Sequence, residues 1–266
     1  MPNLPPGFVF SQSSLQDYAD CQRRFQLRYL DHLAWPAVEA APILEKERWM
    51  KLGARFHRMV HGHLLGQDVA PMAQSEPDLA RWWTQWRAHG LDDLPAQRLP
   101  EKTLSTSLAG ATLVARYDLL ACDAARAVIV DWKTMRRRPS DARLASSLQT
   151  RVYRYILARA GAVLRDGTPI PPEQIEMRYW FAEFPDAPAR VAYDAARYAE
   201  DEAYLAGLVR AIQTQPAEAF PKTADARRCR FCQYRSLCGR GSEPGSLEDA
   251  ELEWVADEAP PLTLEF

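Results

Sequence analysis

Apolar positions in the first third of the chain recur at helical spacing. Tyr18, Phe25 and Tyr29 stand seven and four residues apart, a stripe on one helix face. Ser13-x-x-Gln16 ahead of them reads as a capping box that opens a helix running toward His32. The same period predicts a second helix over 45–65 and a third over 77–90. The third carries Trp82, Trp83 and Trp86, a run that helix packing explains better than stacking on unpaired bases. Beyond Leu99 the period shortens to two. Extended segments are predicted over 99–107, 112–122 and 127–133, then a long helix over 140–160, a strand over 175–181 and a helix over 195–214. A three-strand meander followed by a crossover helix and a further strand predicts an α/β domain, its mixed sheet flanked by helices. No internal repeat and no glycine-rich phosphate loop is present in the sequence.

The segment A115-R-Y-D-L-L-A-C-D-A-A-R-A-V-I-V-D-W-K133 reads as a hairpin turning at Asp123 to Arg126. With Ala124 and Ala125 as the loop, Asp118 and Asp131 stand directly opposite each other, and Lys133 shares the face of Asp131. Opposed carboxylates repel unless a cation lies between them. Oxygen ligands with room for water and phosphate suit Mg²⁺ or Mn²⁺, which polarises a phosphodiester and acidifies its bound water. Lys133 is placed to orient that water or to meet the charge that builds on phosphate. Glu101, at the start of the first predicted strand, is a further candidate carboxylate.

Charge is unevenly distributed. The net charge is -2, yet residues 241–266 hold eight acidic residues and no Lys or Arg, which leaves a body of about +6. This divides the chain into a domain over 1–240 and an acidic C-terminal tail over 241–266, expected to be flexible and either to compete with nucleic acid or to dock through its apolar residues. Within the body, residues 133–165 hold nine basic residues against Asp141 alone. Arg136, Arg137 and Arg138, directly after Lys133, are candidate phosphate contacts. The N-terminus lacks a basic flank with an apolar run behind it, and no window approaches the roughly 18 apolar residues of a membrane span. The expectation is a soluble, cytoplasmic protein.

Of the five cysteines, three fall in C229-x2-C232-x5-C238, one ligand short of a tetrathiolate metal site. Cys21, three residues after Tyr18 and four before Phe25, lies beside the apolar stripe of the first helix. Four thiolates suit either structural zinc or a [4Fe-4S] cluster. Cys122, in the hairpin, reads as a small buried side chain.

V114-A-R-Y-D118, V128-I-V-D-W-K-T134 and Q149-T-R-V-Y153 together resemble the active-site motifs of the PD-(D/E)XK nucleases, in particular the RecB-like branch that includes CRISPR-associated exonucleases and the nuclease domains of bacterial end-resection enzymes. G53-A-R-F-H57 resembles the helical element that carries a metal-binding histidine in that branch. Ala115 departs from the glycine often found ahead of the aspartate. The resemblance implies a restriction-endonuclease-like fold, with His57, Asp118 and Asp131 as metal ligands, Lys133 as the catalytic lysine, and Gln149 with Tyr153 positioning substrate. It also implies that Cys21, Cys229, Cys232 and Cys238 hold a [4Fe-4S] cluster joining the N- and C-terminal segments. The activity implied is phosphodiester hydrolysis at single-stranded DNA ends, with repair or CRISPR adaptation proteins as partners. Two rivals are a non-cleaving DNA-end-binding subunit and a zinc-bound scaffold without a nucleic acid partner.

Overall fold

The computed structural model of the protein describes residues 4–35, 41–216, 218–243 and 245. The expectation of a flexible acidic tail falls almost wholly outside the described residues. Six strands form one mixed sheet: β1 (Val9–Ser11), β2 (Gln97–Leu108), β3 (Ala111–Cys122), β4 (Ala127–Lys133), β5 (Ile175–Phe181) and β6 (Phe184–Ala192). β2 runs antiparallel along the whole of one edge of β3. The other edge takes β1, parallel, at residues 112–114 and β4, antiparallel, at residues 119–122. Because two strands share that edge at its two ends, residues 115–118 lie in the opening between them, and Asp118 borders it. β5 joins β4 in parallel after a helical crossover, and β6 returns antiparallel.

The hairpin register is the predicted one, with Leu119 opposite Val130 and Cys122 opposite Ala127. The Asp123 carboxylate accepts the backbone N–H groups of Ala125 and Arg126, both at 2.8 Å, which fixes the turn. β1 and β6 have no counterpart in the predicted elements. β1 is only three residues long, and β6 contains Pro185 and Pro188, which an edge strand tolerates because one side needs no ladder donor.

The helices are α1 (Gln12–Asp20), α2 (Gln22–Phe25), α3 (Ala41–Leu64), α4 (Ala70–Ala73), α5 (Pro77–His89), α6 (Asp141–Ser146), α7 (Leu148–Ala160) and α8 (Ala195–Thr214). Two of them correct the sequence reading. The capping box uses Ser11 and Ser14, not Ser13 and Gln16: the Ser11 hydroxyl accepts the Ser14 N–H at 3.3 Å and the Ser14 hydroxyl accepts the Ser11 N–H at 2.9 Å. Gln16 instead donates to Asp20 one turn on, at 2.9 Å. The helix also stops at Cys21, which is extended with φ −162° and ψ 107°, before α2 resumes. The predicted 140–160 helix is likewise two. Ser147 is extended at ψ 148° and its hydroxyl accepts the Thr150 N–H at 3.2 Å, a local hydrogen bond that competes with helical backbone.

α7 packs on β2, β3 and β5, with α1 and α8 against it. α3 and α5 complete a second aromatic core, in which Phe56 stacks on Trp180 and Trp86 meets Trp132 edge-on. Trp82 and Trp86 are fully buried there, so these two tryptophans are packing residues. The two ends of the domain meet. Phe25 stacks on Phe220, and the Arg23 N–H donates to the Pro221 carbonyl at 3.1 Å. No helix among the described residues is long and apolar enough to cross a membrane.

Candidate active site

Every residue of β4 is buried, and two of them are charged. Asp131 and Lys133, 3% and 2% exposed, face each other with Nζ to Oδ2 at 3.0 Å. Alternation along the strand puts them on one side, while Trp132 between them enters the aromatic core. α7 covers that side. Its Gln149 amide donates to Asp131 Oδ1 at 2.6 Å, so each carboxylate oxygen has a partner. Thr150, the next residue, meets the Tyr179 hydroxyl at 2.6 Å and the Leu144 carbonyl at 2.6 Å, which holds the start of α7 over β5. A buried ion pair of this kind is tolerated only when paired and hydrogen-bonded on both sides.

Asp118 sits where β3 and β4 part, just past the last paired residues of the ladder. Instead of lying flat against Asp131, it accepts the Trp132 N–H on Oδ2 at 2.8 Å and faces His57 Nδ1 on Oδ1 at 3.3 Å. Burial pushes its carboxyl up, but the His57 imidazole, the hydrogen bonds from His57 and the Trp132 amide, and the Lys133 ammonium outweigh burial and leave the carboxyl below its ordinary value. His57 reaches this place because α3 passes close to the end of β4. A side chain at Gly53 would come within 2.6 Å of the Thr134 hydroxyl, so glycine permits the approach, and His57 follows one turn later on the same face. The G-A-R-F-H spacing carried that signal in the sequence.

Tyr153 lies one turn beyond Gln149 and is 6% exposed. Its hydroxyl is held well above the usual phenol range, first by burial and then by the charges of Asp131 and Asp118. Its backbone carbonyl accepts the Tyr117 hydroxyl at 3.0 Å, tying α7 to β3 beside Asp118. The basic run behaves less uniformly than its sequence suggests. Arg136 lies over the Trp49 ring and pairs with Glu45 at 3.0 Å, and Arg138 donates to the Ala187 carbonyl at 2.7 Å and pairs with Asp141. Both are engaged by groups within the fold, and Arg137 is the exposed member of the run. His63 packs edge-on against Trp83 and Trp86, which places it in the aromatic core.

Away from β4, the extended backbone at Cys21 lets it line one cavity with Cys229, Cys232 and Cys238. Burial pushes all three loop thiols up, Cys232 to about 11. Arg24, Lys222, Arg228, Arg235 and Arg240 border the same cavity, a cationic rim that the sequence reading missed because its members are scattered over 217 positions. Asp20 at the end of α1 links two of them, Arg24 at 2.8 Å and Arg228 at 3.0 Å. Cys122 is buried elsewhere and donates to Gln97 Oε1 at 2.9 Å. Among the described residues, no three His, Cys, Asp or Glu side chains are drawn together closely enough to hold a metal ion as they stand. The donor chemistry fits nonetheless at both places: carboxylates and an imidazole suit a hard divalent cation, and four thiols under a cationic rim suit an anionic tetrathiolate centre.

The family model of the PD-(D/E)XK nuclease superfamily matches residues 9–239. Among solved structures, a protein from Eubacterium rectale provisionally named an exonuclease is similar at 11% identity, with 77% of this chain and 79% of that chain covered and a TM-score of 0.50. At that identity the likeness is one of fold. The crystal structure of SSO0001 is matched more loosely, at 15% identity over 88% of this chain and 86% of that chain, with a TM-score of 0.40. No curated protein matches the chain in sequence.

Proposed function

Because the chain belongs to the PD-(D/E)XK nuclease superfamily, we propose that it is a metal-dependent DNA nuclease of the RecB-like branch, acting as an exonuclease on single-stranded ends in repair, recombination or CRISPR adaptation. The observation that carries this reading is the Asp131–Lys133 pair at 3.0 Å, locked by Gln149 at the point where β3 and β4 open beside Asp118 and His57. A subunit that only binds DNA has no chemical need for such a pair, since a buried lysine and carboxylate are costly to keep.

Asp118, Asp131 and His57 are the residues to hold a divalent cation. Bound there, Mg²⁺ or Mn²⁺ supplies Lewis-acid stabilisation of phosphate charge and a more acidic water. Lys133, fixed through its contact with Asp131, brings a positive charge to the side of the phosphate where negative charge develops. Gln149 keeps the Asp131 carboxylate in one orientation, and Tyr153, one turn further along α7, positions substrate beside it. Cys21, Cys229, Cys232 and Cys238 are the residues to hold a [4Fe-4S] cluster, the cationic rim offsetting its negative charge; zinc is the competing occupant. The decisive test is release of label from end-labelled single-stranded DNA by the purified protein with Mn²⁺. Binding without release supports the DNA-end-binding subunit instead.

The arginines give a second expectation. Arg137→Ala is expected to lower the slope of log affinity against log salt by about 0.7, one phosphate contact on a single strand. Arg136→Ala and Arg138→Ala should leave the slope closer to wild type and lower the melting temperature, because their partners are within the fold. Filter binding across a salt series, with thermal melts beside it, separates the two effects; an unaltered slope for Arg137→Ala makes it solvated surface.

A further inference from the structure

Among the described residues other than glycine that have a left-handed backbone, Glu101 alone lies inside a strand, with φ +51°. The β2–β3 register passes from Pro100 opposite Leu119 to Lys102 opposite Tyr117, so Glu101 stands against Asp118 in the position where the ladder skips a pair. No residue is inserted, since the register resumes unchanged on both sides. The distortion therefore does nothing for strand pairing, and a non-glycine residue is held there against its steric preference.

Its side chain accounts for the distortion. Glu101 pairs with Arg116 at 3.1 Å, but Arg116 is 45% exposed, and a surface pair of that kind contributes too little to hold a strained backbone. Burial raises the Glu101 carboxyl above its ordinary value, and the next influence is Asp118; His57 and His61 act in the opposite sense. The register sets Glu101 directly across from Asp118, and Asp118 in turn faces His57 at 3.3 Å, so Glu101 stands next to the Asp118–His57 pair. His61 lies one turn beyond His57 on α3.

We infer that Glu101 is a third carboxylate of the metal centre, one that would act on the water shell of a divalent cation held by His57, Asp118 and Asp131. This rests on the nuclease reading above. Mg²⁺ sheds water reluctantly and is commonly held through retained waters, so a carboxylate set back from the direct ligands contributes to affinity. The need to turn that carboxylate out of the sheet and toward Asp118 explains the backbone.

The test is titration of the full chain with Mn²⁺ alone, followed by electron paramagnetic resonance, together with thermal melts. Glu101→Gln and Glu101→Asn are expected to weaken Mn²⁺ binding by about 10- to 100-fold. Asparagine tolerates the left-handed conformation, so Glu101→Asn should melt at or above the wild-type temperature while losing affinity. Arg116→Ala, which removes the pairing alone, should bind Mn²⁺ much as wild type does. If Asp131→Asn weakens binding and both Glu101 variants bind like wild type, Glu101 is structural and the inference falls by itself. If the wild-type protein binds no Mn²⁺, or Asp131→Asn binds as well as wild type, the metal-site reading falls with it.

Discussion

Lys133→Ala is expected to bind single-stranded DNA and to cut it at least about a hundredfold more slowly, the loss typical when one group aimed at transition-state charge is removed. The ammonium is 2% exposed and in contact with Asp131, so its charge is felt in a site from which most water is excluded. Its removal also leaves Asp131 buried with Gln149 but without a counter-charge, at a cost of about 3 kcal/mol or more in stability. Circular dichroism and DNA binding must therefore accompany the rate. Asp131→Asn supplies the complementary variant, since it removes the negative charge and leaves an oxygen for Gln149. Both variants should lose cleavage with Mn²⁺ while keeping affinity for DNA; cleavage by Lys133→Ala at the wild-type rate, in folded protein, would remove the role assigned to this strand.

Cys21→Ala is expected to yield protein without iron, without acid-labile sulfide and without the broad visible absorption of a thiolate-bound cluster, when purified without air. Cys122→Ala should retain all three, because its thiol is buried against Gln97 and away from the cavity. The cost in stability is large for Cys21. A link between positions 21 and 229 closes a loop over nearly the whole domain, and the chain-entropy relation for a cross-link of that span gives about 5 kcal/mol. The Phe25–Phe220 stack already holds part of this closure, so the measured loss should be somewhat smaller. Colourless wild-type protein with stoichiometric zinc assigns the four thiols to a zinc site; equal iron in both variants removes Cys21 from the ligand set.

Much of the central sheet was legible because its signals are local. Apolar runs on each side of Asp123 fix the hairpin register, and Asp131 and Lys133 stand out as charges inside an otherwise apolar strand. Asp118, Gln149 and His57 could be ranked from spacing and resemblance, and the fold brings them to one place. What stayed hidden depends on distant partners. The breaks at Cys21 and Ser147 interrupt stretches whose periodicity continues through them, and caps and tertiary contacts decide where the helix stops. Prolines in β6 disguise an edge strand. Arg136 and Arg138 advertise charge in the sequence, but their commitment to Glu45, Trp49 and Ala187 is a property of the folded chain alone. Glu101 was visible as a carboxylate, and its left-handed backbone was not.

The extended residue at the end of α1 also sets a clock on the molecule's birth. Cys21 is made early and its three companions late, with 207 residues between it and Cys229. At a ribosomal pace of about 5–20 residues per second, roughly ten to forty seconds pass between the first thiol and the other three. During that interval the carbonyl of Leu33 has not yet met the Tyr234 hydroxyl, nor Trp35 the hydroxyl of Ser236. A truncated nascent chain that stops short of the loop can build the hairpin of β3 and β4 but cannot gather four thiols. If the four thiols take up the proposed cluster, its acquisition would certify that translation has passed Cys238, and a released fragment with its carboxylates in place would still lack three of the four thiols.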